Sequence, residues 1–112
     1  MAKQISDLNW EKRVIILSYE KKSDKLFTKS IKYISDNKCE IDDRNLEIIF
    51  FEKFKNINFL TPKFINEKYG IWLLGYDGKI KDYSLDEKIL FRLLNLIDSM
   101  PMRKNEIKND KC

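Results

Sequence analysis

RVIILSY, residues 13–19, is a short continuous apolar run rich in β-branched residues. A strand with one wet face alternates apolar with polar, so an unbroken run of this length predicts a strand covered on both faces. A second such run, LEIIFF, lies at residues 46–51. Between them Ser23 and Asp24 offer N-caps. Leu26, Phe27, Ser30, Ile31, Tyr33 and Ile34 then recur at steps of three and four among lysines, which predicts a helix to about Asn37. The polar link NKCEIDDRN completes the connection. Strand, helix and strand of these lengths predict a βαβ unit with parallel strands and a right-handed crossover.

Outward from that unit, the segment EKFKNINFL, residues 52–60, matches no periodic pattern and reads as a loop over the core. Thr61-Pro62 then signals a helix start and Gly70 a left-handed stop, giving a short helix over 62–69. IWLL at 71–74 reads as a third strand. Asp77-Gly78 marks a hairpin turn into KIKDYS, a shorter and more polar strand suited to a sheet edge. Ser84 and Glu87 form a capping-box pattern. Leu90, Leu93, Leu94 and Ile97 then line one helical face, widened by Ile89, Leu96 and Met100, while Lys88, Arg92, Asn95 and Ser99 form its wet stripe. Pro101 predicts that this helix stops near Met100. The expectation is an α/β (mixed α+β) fold of thioredoxin-like order: β-α-β, a short helix, then β-β-α, with a mixed sheet of about four strands flanked by helices. One domain over residues 1–104 is expected, followed by a polar, disordered tail at 105–112.

Composition narrows the chemistry. Absence of histidine removes the commonest general base, the commonest zinc ligand and every Ser-His or Cys-His nucleophile. No metal or cofactor is expected. Two cysteines, Cys39 and Cys112, match no CxxC or metal-ligand spacing, and a disulfide framework is not expected. No apolar run is long enough for a membrane span, and MAKQISDLNWEKR has no apolar signal region, so cytoplasmic residence is the default. A net charge of +4 is compatible with a polyanion partner, but acidic residues are interspersed throughout and favour a solvated surface over nucleic-acid binding.

KYGI at 68–71, followed by an apolar strand, a DG turn and another strand, resembles the second half of a thioredoxin. The place after the first strand, where thioredoxins carry reactive cysteines, here reads SYEKKSDK. Their cis-proline before the third strand is replaced by Tyr69-Gly70. More specifically, LNWEKRVIIL, DDRNLEIIFF, WLLGYDGKIK and IDSMPMRKNEI together resemble domain of unknown function 4174, the DUDES family, over residues 8–107. The MPMR string is the most specific part. This resemblance implies a thioredoxin-like, peroxiredoxin-related fold and a bacterial single-domain member; the family carries no accepted catalytic residues. Residues matching its motifs are Trp10, Arg13, Arg44, Asp77, Gly78, Lys79, Met100, Pro101, Met102 and Arg103. Trp10 is expected to cap the sheet edge or core.

Three functional readings compete. The favoured one is a non-catalytic module that docks an unknown protein or small ligand on a patch of Trp10, Arg13, Arg44, Asp77, Lys79, Met100, Met102 and Arg103. The alternative is an atypical thiol redox enzyme using Cys39, although Glu40, Asp42 and Asp43 offset the one activating charge of Lys38. The third is a weak anion or nucleic-acid site where Lys21, Lys22 and Ser23 open the first helix.

Overall fold

A computed structural model gives the architecture and describes residues 2–100. Pro101, Met102, Arg103 and the expected disordered tail at 105–112 lie outside the described residues. The sheet has four strands: β1 (Arg13–Tyr19), β2 (Leu46–Glu52), β3 (Gly70–Leu74) and β4 (Ile80–Ser84). Their spatial order is β2-β1-β3-β4. β1 and β2 run parallel with Arg13 opposite Leu46, as the βαβ reading requires. β3 lies antiparallel to β1, and β4 antiparallel to β3.

Alternation along the strands divides the interior into two layers. Ile15, Leu17, Tyr19, Ile71 and Leu73 face one side, where α1 (Lys25–Asp36), α2 (Lys38–Asp43) and α3 (Lys88–Asp98) cover them. Val14, Ile16, Ile49, Phe51, Trp72 and Leu74 face the other. Among the described residues no long helix covers that side. A 3-10 turn at Ile5–Leu8 and the connection after β2 do so instead, contributing Ile5, Phe54, Phe59, Phe64 and Ile65. Both central strands are therefore buried on both faces, the condition read from RVIILSY and IWLL.

Four local expectations change. The polar link contains α2, a six-residue helix in which Ile41 alone is buried. The expected helix over 62–69 shrinks to a 3-10 turn at Lys63–Ile65, because Pro62 is extended at φ −66°, ψ 147° rather than helical. Gly70 is not its left-handed stop; Asn66 and Glu67 take the left-handed conformation, and Gly70 opens β3 at φ 145°. A Cβ there would stand 2.6 Å from the Ser84 carbonyl oxygen, so close strand approach requires glycine at this position. Finally, Ser84 does not cap α3. Asp86 accepts from the Lys88 N–H at 3.0 Å, and the Ser84 hydroxyl donates to Asp86 at 2.9 Å. Of the segment 52–60, Glu52 ends β2 and the rest is a loop, tied down where Lys3 N–H donates to the Asn58 carbonyl and Leu60 N–H to the Lys3 carbonyl.

Candidate functional site

β1 and β3 deliver the site at the end of the sheet where β1 begins. Arg13 is the first residue of β1 and is fully buried. Its guanidinium donates to the Arg44 carbonyl at 2.8 Å and stacks on the Tyr76 ring, 4.4 Å from the centroid. A buried cation held against an aromatic face is fixed in plane and position. Asn45 fixes Tyr76 in turn, its amide donating to the Tyr76 hydroxyl at 2.9 Å and to the Glu11 carbonyl at 2.8 Å.

Trp10 sits beside this stack. Its N–H donates to the Tyr76 carbonyl at 2.6 Å, and its backbone adopts φ 68°. A left-handed conformation is costly for a bulky side chain. The expectation that Trp10 caps the core is corrected: 67% of the residue is exposed, because the left-handed turn aims the indole outward. Trp10, Arg13, Gly75, Tyr76, Asp77, Lys81 and Met100 enclose a cavity of about 140 Å³. Asp77 accepts from the Lys79 N–H at 3.0 Å and from the Lys81 ammonium at 3.1 Å. Those bonds, the backbone one foremost, hold its carboxyl below the usual carboxylate range.

Of the residues read from the sequence, Trp10, Arg13, Asp77 and Met100 thus share one cavity. Arg44 does not line it. Its guanidinium grips Asp98 bidentately at 3.0 and 2.9 Å and reaches Glu40 at 2.7 Å, joining α2 to the end of α3. Burial works against the Arg44 charge, but the bonds to Asp98 and Glu40 outweigh it and leave its pKa above the ordinary value. Lys79 shapes the turn through its backbone while its side chain is exposed. Met102 and Arg103 lie outside the described residues. Tyr76 and Lys81 were missed: each reads as an ordinary turn or edge residue until the hairpin folds them toward Trp10.

The Asp77 carboxylate is already paired with Lys81, and the chain has no histidine. Among the described residues no group of acidic or cysteine side chains is arranged to hold a metal.

The thioredoxin-type corner after β1, Glu20 to Ser23, is exposed and holds no cysteine. Asp24 accepts from the Lys21 N–H at 3.0 Å, occupying one donor of the turn that the anion reading needed. Tyr19 and Phe27 pack at 4.4 Å beneath it. Cys39 sits exposed on α2 and is disulfide-bonded. Among the described residues no helix is long and apolar enough to cross a membrane.

Solved structures similar to this chain are peroxiredoxins. The mitochondrial 2-Cys peroxiredoxin of Plasmodium falciparum superposes with a TM-score of 0.58 at 13% identity, covering 85% of this chain and 79% of that one. The reduced 2-Cys peroxiredoxin of Plasmodium vivax gives 0.62 at 11% identity over 90% and 84%. Thioredoxin peroxidase I of Plasmodium yoelii gives 0.61 at 15% identity over 96% and 82%. At these identities the likeness concerns the fold, which is thioredoxin-like as the element order predicts. No curated protein sequence matches the chain. The family profile described as a domain of unknown function (DUF4174) matches residues 4–106, nearly the full length on which the four motifs were read, and the chain belongs to that family.

Proposed function

We propose that this chain is a non-catalytic recognition module that docks a partner protein at the cavity beside Trp10. The observation that carries the reading is an exposed indole held at φ 68° over a cavity whose wall contains a fully buried arginine. Size selects the kind of partner. Small-molecule sites usually occupy about 300–1,000 Å³, whereas about 140 Å³ accepts one side chain of a docking surface. Tryptophan, tyrosine and arginine are also the residues that most often dominate protein interfaces.

Thiol chemistry is the weaker reading, because Glu40, Asp42 and Asp43 surround Cys39 with negative charge and the corner after β1 has no cysteine. Trp10→Ala and Lys81→Glu are the tests, with Phe91→Ala as a control on the far helical face. The proposal expects both site variants to abolish partner co-purification at unchanged Tm while Phe91→Ala retains it. Peroxide turnover that disappears in Cys39→Ser would replace it with the enzymatic reading.

A further inference from the structure

The geometry points to a second, separate site on the sheet face without helices, shaped for a small amphipathic anion. There the N-terminal segment and the stretch after Leu60 enclose a cavity of about 400 Å³. Its floor is apolar: Ile5, Phe64 and Leu74 belong to the core layer on that side. At about 30 Å³ per water, the space holds on the order of a dozen waters or one bicyclic aromatic body, and it falls within the range of small-molecule sites.

The walls are held before any ligand arrives. Lys3 N–H donates to the Asn58 carbonyl at 2.7 Å and Leu60 N–H to the Lys3 carbonyl at 2.8 Å, lacing the two segments together. Thr61 adds a hydroxyl bond to the Phe54 carbonyl. On the third side, Asn9 packs against Gly78, where no Cβ fits. A pre-formed apolar cavity avoids the ordering cost that weakens binding to mobile loops.

The rim sets the charge of the ligand. Among the described residues Lys63 is the sole charged one in the lining, and no carboxylate pairs with it. Gln4 and Asn9 add amide groups. The nearby acid on the hairpin, Asp77, is paired with Lys81 at 3.1 Å and lines the Trp10 cavity instead. The Asp7 carboxylate beside the lining is occupied by the Gln4 N–H at 3.0 Å, so an apolar floor with one ammonium unpaired among the described residues favours a compact apolar body bearing one carboxylate or sulfonate.

The test uses 2-naphthoate, neutral 2-naphthalenemethanol and cationic 2-naphthylmethylammonium, titrated into the full chain with amide NMR shifts and calorimetry. Naphthoate is expected to saturate, with shifts confined to residues 4–9, 60–64 and 78, and to bind more tightly than both analogues. Lys63→Gln should weaken naphthoate about fivefold, the value of one rim ion pair, while leaving the alcohol unchanged. Leu60→Glu should weaken naphthoate further and spare the fold, since Leu60 is exposed. Equal binding of all three probes, absent naphthoate binding, shifts elsewhere, or an unaffected Lys63→Gln would each overturn the site. Neither result bears on the Trp10 cavity, whose residues these variants leave intact.

Discussion

Replacing Arg44 with alanine separates architecture from ligand binding at a residue that sequence motifs place in a candidate patch. Its side chain is 8% exposed, but Asp98 and Glu40 are each 37% exposed and recover water when released. Each ion pair is therefore worth about 0.5–1 kcal/mol rather than the several expected of a dry pair. The Nη1 bond to the Glu40 carbonyl at 3.0 Å adds about 1 kcal/mol, and packing of the buried stem about 1 kcal/mol more. Together Arg44→Ala should cost about 3 kcal/mol. At roughly 4–8 °C per kcal/mol for a domain near this size, Tm falls by about 15 °C. The Arg44 carbonyl that receives Arg13 survives the substitution, so the Trp10 cavity stays formed. Urea denaturation of Arg44→Ala, Asp98→Ala and the double variant gives both the total and the coupling, which should be about 1 kcal/mol. Arg44→Lys should recover only part, since a point charge cannot span both carboxylates. A loss below about 1 kcal/mol for Arg44→Ala would refute the tie and return Arg44 to the ligand patch.

Gly70→Ala should cost at least about 2 kcal/mol or prevent folding, because its Cβ meets the Ser84 backbone at 2.6 Å; Gly75→Ala meets the flexible end of Lys81 and should cost under about 1 kcal/mol, both read by thermal melts. Arg92 grips Asp82 at 2.6 and 3.0 Å, and this hydrogen bonding is the main cause that lowers the Asp82 pKa. Because the folded value lies below the unfolded value of about 3.9, this stability is fully present above about pH 4 and lost as pH falls through the folded pKa. Arg92→Gln should flatten the acid limb of Tm against pH, and an unchanged limb would show the pair to be idle. Trp72 is buried and Trp10 exposed, so acrylamide should quench a red-shifted emission component that vanishes in Trp10→Phe and persists in Trp72→Phe.

The central strands and α3 were legible because their burial pattern is written in the residues themselves. RVIILSY cannot be half wet, and Leu90, Leu93 and Ile97 recur on one face. α2 was not legible: with only Ile41 buried, six residues carry no periodicity to detect. Residues 62–69 misled because Thr-Pro and Gly are helix punctuation in most contexts, yet here Gly70 answers to the backbone of β4 across the sheet. The same limit applies to the site. Trp10 and Asp77 were read as motif residues, but their meeting depends on the hairpin, and the outward turn of Trp10 depends on a backbone conformation that its side chain disfavours. Arg44 enters the candidate patch only as a charged residue inside a motif. Its partner Asp98 lies 54 residues away, and no local pattern announces the pair.

A photoreactive benzoyl-phenylalanine placed singly at position 10, at position 22 in the corner after β1, and at position 91 on α3 tests most directly where this fold does its work. Irradiation in cells, followed by denaturing electrophoresis, should give a discrete covalent partner adduct from position 10 and none from positions 22 or 91. An adduct formed at position 22 and absent at position 10 would contradict the account and return the function to the corner that peroxiredoxin-like folds share.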